Sequence, residues 1–215
     1  MKIINFGETR SVINQYMSEL RDINVQNDRA HFRNNLRRIG QLMAYEVSKV
    51  LTYSPKSVQT PLGIASVNTH DDDLVLGTIF RAGLPYHQGF LDIFDHAGNA
   101  FVSAYRFYKD KECEDVGIKI DYLASPDLGG KTLIIADPML ATGGSAVAAV
   151  DFIKQHGGKH IKFMSIIAAP QGIERLLKAH PDIQLYVGHV DRELNENAYI
   201  CPGLGDAGDR IFGTK

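Results

Sequence analysis

The sequence predicts an α/β protein: a mainly parallel sheet flanked by helices, with an N-terminal helical arm and a β-hairpin. Three observations carry this expectation. Through the centre of the chain, short apolar runs that read as buried strands alternate with helical stretches, the pattern of βαβ units. Before them lies one long segment with apolar residues at helical spacing, followed by two Val-, Thr- and Ile-rich stretches around a turn. No internal repeat, low-complexity tract or interdomain linker divides the 215 residues, so a single unit over 1–215 is expected. Its parts are the arm over 1–52, the hairpin over 53–70, the α/β core over 71–190 and a terminal segment over 191–215.

From Asn27 to Leu51, the side chains Phe32, Leu36, Ile39, Met43, Val47 and Val50 recur at helical spacing behind an Asn27-Asp28 start signal, which predicts a long amphipathic helix. Its opposite face carries Arg29, Arg33, Arg37 and Arg38, expected to be solvated. Thr60-Pro61-Leu62-Gly63 predicts the hairpin turn. His70-Asp71-Asp72-Asp73 reads as a solvated turn, since consecutive residues cannot all face one metal ion. In the core, Leu74 to Phe80 predicts a buried strand, Leu84 to Phe94 a helix and Ala100 to Phe107 a strand. Strands near Ile118 to Ala124 and Lys131 to Ala136 follow, then a helix over Ser145 to His156 ended by Gly157-Gly158, and a strand over Ile161 to Ala168. Ligands of such sheets sit at the carboxyl ends of the strands.

Composition narrows the function classes. A hydrophobic content of 44% at this length buries a sizeable core. The 23 basic and 25 acidic side chains leave a net charge of -2, so no global positive field exists for a nucleic-acid backbone and any anion site is local. Two cysteines, Cys113 and Cys201, argue for a reducing compartment and against a disulfide scaffold; both are expected to be inert. Met1 to Arg10 lacks the apolar core of a secretion signal, and no apolar run is long enough to span a bilayer. A cytoplasmic protein with no membrane partner is expected.

The strongest local signal runs from Leu133 to Ser145, an apolar strand passing through Asp137-Pro138-Met139-Leu140-Ala141 into a Thr142-Gly143-Gly144-Ser145 turn that opens a helix. Glycines let the backbone approach an anion, successive N–H groups converge on it, and the helix dipole adds partial positive charge. The tetrapeptide alone is equally compatible with a plain strand-to-helix turn. Asp137 tips the balance, because a carboxylate at the end of a buried strand, just before a phosphate turn, is placed to accept hydrogen bonds from sugar hydroxyls.

On these residues the chain resembles the type I phosphoribosyltransferases and, through Asp-Pro-Met-Leu-Ala-Thr-Gly-Gly-Ser, their uracil-specific branch. Most other branches carry two adjacent acidic residues where this chain has Asp137-Pro138. The resemblance implies that fold, with Asp137 on the ribose hydroxyls and Ala141, Thr142, Gly143, Gly144 and Ser145 around the 5-phosphate of phosphoribosyl pyrophosphate. Arg81-Ala82-Gly83-Leu84 resembles the family's pyrophosphate loop, and Arg106 matches the start of a second loop for the same group, although Phe107 to Asp110 depart from the commonest pattern there. Taken alone, a strand-end arginine reads slightly better as one half of a structural salt bridge.

Tyr199 to Thr214 packs glycines, a proline and two aspartates around Tyr199, Ile200, Leu204, Ile211 and Phe212, a segment expected to be neither regular helix nor strand. It closely resembles the family's uracil loop. By that resemblance Ile200 and Gly205 give main-chain contacts, Asp206 binds or orients the base, and Met139, Tyr199, Gly203 and Ala207 complete the seat. A fixed array of main-chain donors and acceptors rejects cytosine by up to about 10⁴-fold, since the wrong exocyclic group leaves buried partners unpaired.

The resemblance further implies transfer of the phosphoribosyl group to uracil, giving UMP and pyrophosphate in pyrimidine salvage. Magnesium would be carried on the phosphoribosyl pyrophosphate with no direct protein ligand. Catalysis would fall to Asp137, Arg81, Arg106 and Asp206, with Phe107 to Gly117 as a lid. A homodimer or higher assembly is implied too. Two rivals stand: an RNA-binding regulator of pyrimidine genes on the same fold, which only the arginine-bearing helix could serve, and a phosphoribosyltransferase for another base.

Overall fold

A computed structural model describes residues 3–108 and 116–214, apart from the side chains of 105–108, 116–121 and 123. In chain order its elements are β1 (Ile3–Asn5), α1 (Val12–Arg21), α2 (Arg29–Ser48), β2 (Tyr53–Thr60), β3 (Gly63–His70), β4 (Leu74–Phe80), α3 (Leu84–Leu91), β5 (Gly98–Tyr108) and β6 (Val116–Ala124). Then follow β7 (Thr132–Ala136), β8 (Met139–Leu140), α4 (Gly144–Gln155), β9 (His160–Ala168), α5 (Pro170–Ala179), β10 (Gln184–Val190), β11 (Glu193–Leu194), β12 (Ile200–Cys201) and α6 (Ala207–Phe212). No helix among the described residues is long and apolar enough to cross a membrane.

The main sheet runs β1-β10-β9-β7-β4-β5-β6, with β8 also paired to β9. Its neighbours are parallel except β5 and β6, so the predicted, mainly parallel α/β fold is the one observed. Strand geometry explains the continuous apolar runs, because successive side chains point to opposite faces and both faces are covered. In β7, Ile134 and Ala136 join a core with α1, α2, α3 and α6, while Leu133 and Ile135 join a core with α4 and α5. The sheet edge is longer than expected, since β1 and β10 extend it beyond β9.

The long arm helix forms as α2, with the Asp28 carboxylate capping it by accepting from the amides of Ala30 and His31. It stops at Ser48, short of the expected Leu51, and the chain tightens through Val50 N–H to Val47 O and Leu51 N–H to Ser48 O bonds. That tightening turns the expected core residue Val50 outward, to 50% exposure, and brings Leu51 in at 8%.

The arginine face of α2 is not simply solvated. Arg37 makes a two-pronged contact with Asp92, Arg33 donates to the Ile211 carbonyl, and Arg38 donates to Asn35 and lies over Tyr16. His70 to Asp73 is largely exposed, as expected, but its carboxylates also have partners. Asp71 accepts from Ser54, Asp72 from Thr52 N–H and the Thr132 hydroxyl, and Asp73 pairs with Lys131, tying the hairpin to the sheet. The terminal segment, expected to be irregular, contains β12 and α6. The Asp206 side chain caps α6 by accepting from Asp209 N–H, which offsets the weak helix preference of Gly208.

Candidate active site

Asp137 stands in a break of the sheet. Its N–H donates to the Met164 carbonyl, and then Pro138, which has no N–H, interrupts the ladder before Leu140 O accepts from Ala169 N–H. The interruption turns the carboxylate toward a cavity of about 550 Å³ at the carboxyl end of the strands. Burial pushes this carboxyl from 3.8 up to about 7, and one hydrogen bond from the Met139 amide only partly opposes the rise. Tyr86, fully buried below, has its hydroxyl pushed up by burial first and by the Asp137 charge second.

The phosphate turn follows. Gly143 occupies the N-cap of α4 at φ 77 and offers no side-chain cap, so the opening N–H groups of a 12-residue helix face outward without an acceptor from it. A Cβ at Gly143 would come within 2.9 Å of the Gly172 carbonyl, and one at Gly172 within 2.7 Å of Leu140 O. Two glycines therefore allow α4 and α5 to close on the turn. Gly83 plays the same part on the other side, where a Cβ would come within 3.0 Å of Ala136 O. That close approach sets the Arg81-Ala82 loop beside Asp137.

Nine of the expected site residues line the cavity together: Arg81, Ala82, Asp137, Met139, Ala141, Ser145, Tyr199, Asp206 and Ala207. Gly83, Thr142, Gly143 and Gly144 are not in its lining; they shape the turns behind the rim. Ile200 and Gly205 also lie outside the lining, with the Ile200 side chain in the core. Gly203 lies outside the lining too: its N–H donates to Asp191 and its carbonyl accepts from Arg21. The Arg106 side chain lies outside the description, as do residues 109–115 of the expected lid and Cys113.

The guanidinium of Arg81 lies 5.7 Å from the Phe212 ring centroid, which ties the arginine loop to α6. Asp206 commits one carboxylate oxygen to its cap and lines the cavity. Sequence reasoning missed Asn197 and Ala198, which border the cavity from the turn between β11 and β12. The signal was Asn195, whose side-chain oxygen accepts from the amides of Asn197 and Tyr199 and holds Ala198 at φ 61. Asp209 and Thr214 were missed also. Among the described residues no group of three or more His, Cys, Asp or Glu is placed to hold a metal ion.

At the C-terminal end of the base segment, Arg33 anchors Ile211 O at 2.9 Å. At the other end, Asp191 is buried, which raises its pKa, but the hydrogen bond from Arg21, that from the Gly203 amide, and the Arg21 charge outweigh burial and hold it below the usual carboxylate range.

The chain is similar, over its whole length, to known proteins. It is 48% identical to the uracil phosphoribosyltransferase of Porphyromonas gingivalis with 100% of both chains covered. It is 44% identical to that of Dictyoglomus thermophilum, covering 95% of this chain and 96% of the other. Among solved structures, a protein from Aquifex aeolicus superposes with a TM-score of 0.88 at 31% identity, covering 99% of each chain. The orotate phosphoribosyltransferase of Mycobacterium tuberculosis, solved with inorganic phosphate, shares the fold at 12% identity and a TM-score of 0.50, covering 85% of this chain and 90% of that one. Residues 8–214 match the uracil phosphoribosyltransferase family model, and with the cavity between Asp137 and Asp206 this match makes the chain a member of that family.

Proposed function

We infer that the protein transfers the phosphoribosyl group of 5-phosphoribosyl 1-pyrophosphate to uracil, giving UMP and pyrophosphate. One observation carries the reading: a single cavity is bordered by the arginine loop, by Asp137, by the rim of a phosphate turn and by the Tyr199–Ala207 segment. The C1–O bond to pyrophosphate breaks as the C1–N1 bond forms, and the uracil N1 proton leaves to solvent or to a carboxylate. Positive charge develops on the sugar, as in glycoside cleavage.

Asp137 accepts hydrogen bonds from the ribose hydroxyls and is ionised as it does so. Ala141 to Ser145 hold the 5-phosphate through backbone N–H groups and hydroxyls. Arg81, and Arg106 with it, stabilise the departing diphosphate. The free oxygen of Asp206 orients uracil and assists loss of the N1 proton.

Phosphoribosyltransferases use magnesium with phosphoribosyl pyrophosphate, and the cavity carboxylates of Asp137, Asp206 and Asp209 suit the water shell of an ion that enters on the substrate. When bound, the ion neutralises leaving-group charge. We further propose a cytoplasmic homo-oligomer, supported by the exposed Leu62, Ile64 and Val67 of the hairpin. The test is product formation from uracil, orotate, hypoxanthine and cytosine, each with phosphoribosyl pyrophosphate and magnesium. UMP from uracil alone is expected; faster turnover of any other base overturns the assignment.

A further inference from the structure

Two side chains outside the cavity lining are bonded to the segment that borders it. Asp191 follows β10 directly and is fixed to the sheet end by its N–H, which donates to Ala168 O at 2.8 Å. Its carboxylate is 1% exposed and accepts from Nη2 and Nη1 of Arg21, at 2.5 and 2.9 Å, and from Gly203 N–H at 2.8 Å. Arg21 in turn donates to Gly203 O at 2.9 Å. The three groups thus close a ring in which Gly203 has both its backbone polar groups fixed by residues 12 and 182 positions away.

Gly203 transmits that constraint to the base segment. It stands at φ 67, and a Cβ there would run into the Ile200 carbonyl, so the two backbones are in close approach. Ile200 and Leu204 are buried, at 4% and 3% exposure, which couples any movement of Gly203 to both flanks. Arg21 lies at the end of α1, on the arm, and its forked geometry matches a carboxylate in a way that a lysine ammonium does not.

We propose that Arg21 and Asp191 are positioning residues for uracil: their ion pair fixes Gly203, and through it the backbone from Tyr199 to Asp206. The proposal rests on the uracil reading above. It separates two functions within one cavity, because among the described residues no hydrogen bond joins the phosphate turn or the arginine loop to this ring.

The test compares Arg21→Lys, Arg21→Met and the double variant Arg21→Met/Asp191→Asn, by steady-state kinetics in both substrates, by calorimetric titration with UMP, and by thermal melting. Arg21→Lys is expected to raise the uracil KM about tenfold, less than the roughly 10²-fold that a 1 Å misplacement can cost, while the KM for phosphoribosyl pyrophosphate stays within about twofold. UMP binding weakens in parallel. Arg21→Met leaves the buried carboxylate with only the Gly203 amide and the His189 ring, 3.7 Å away, beside it and lowers the melting temperature; the double variant removes that charge and recovers stability. A positioning role requires that the uracil KM stay high in the double variant despite the recovered melting temperature.

If folded variants keep the wild-type ratio of the two KM values, or if the KM ratio recovers together with stability, the pair is merely structural and the proposal fails. If the wild-type protein makes no UMP at all, the uracil reading falls and the positioning role with it, whereas UMP from the wild type with an unchanged ratio in the variants overturns the positioning role alone.

Discussion

The two ends of the cavity are built by opposite strategies. At the ribose-phosphate end, residues 136–145 form one continuous strand, break, turn and helix start, so each group is placed by its immediate neighbours. At the base end, the segment from Tyr199 to Thr214 is tied down by side chains from elsewhere: Arg21 and Asp191 at Gly203, Arg33 at Ile211 O, and Asn27 at Arg210. A locally built end concentrates its function in few residues, whereas a tethered end spreads it over several. Substitutions should accordingly cost more per residue at the first end than at the second.

The largest effect is expected at Asp137. Asp137→Asn removes the ribose anchor and should cost about 2 to 4 kcal/mol of transition-state stabilisation, a loss in kcat/KM of about 30- to 900-fold. The same change should stabilise the ligand-free protein at high pH. With a folded-state pKa near 7 against an ordinary 3.8, the folded protein keeps a proton that the unfolded chain has already lost between those values. Stability therefore falls as pH rises through that window and levels off above it. Melting curves should show the Asn variant above the wild type at pH 8, with the gap closing toward pH 4. A wild-type melting temperature that rises from pH 5 to 7 relative to the variant contradicts the assignment.

Substrate binding carries the inverse dependence. Ribose hydroxyls that donate to Asp137 favour its ionised form, so affinity for phosphoribosyl pyrophosphate should improve as pH rises toward and through about 7. In Asp137→Asn that dependence should be lost, leaving only the titration of the ligand itself. Calorimetric titration at pH 6, 7 and 8 in both proteins measures the difference.

A smaller loss is expected at Gly143. Alanine there meets both the positive φ of 77 and the Gly172 carbonyl at 2.9 Å, a backbone cost of about 1 to 3 kcal/mol. The expected result is a higher KM for phosphoribosyl pyrophosphate and a lower melting temperature, with the uracil KM little changed. An equal rise in both constants would mean that the phosphate end is not locally built.

The same contrast decides what could be read from the sequence. Asp137 and the Thr142 to Ser145 turn were legible because strand, carboxylate, glycines and helix start are consecutive, and the core strands were legible because double-sided burial leaves unbroken apolar runs. The tethers were not, since nothing in the spacing of Arg21, Asp191 and Gly203 announces that they meet. Two regular elements were hidden by glycines placed for packing. Gly188 interrupts β10 where a Cβ would come within 2.6 Å of Ile166 O, and Gly172 weakens the opening of α5 where it must pass the phosphate turn. The short β1, three residues long, carries no period of its own and forms only because β10 offers it an edge.

The smallest effect should come from Arg33, which tests whether the base end really shares its work among tethers. Its guanidinium donates one hydrogen bond, 2.9 Å long, to the Ile211 carbonyl at the end of α6. A part-exposed bond of this kind contributes about 1 kcal/mol, so Arg33→Met should raise the uracil KM about fivefold and lower the melting temperature slightly. Because Phe212, the next residue, lies under the Arg81 guanidinium, a weaker rise in the KM for phosphoribosyl pyrophosphate should accompany it. Loss of the tether then reaches both substrates unequally, base first. A loss as large as that of Asp137→Asn would mean instead that α6 depends on one anchor, and that the base end is no more distributed than the phosphate end.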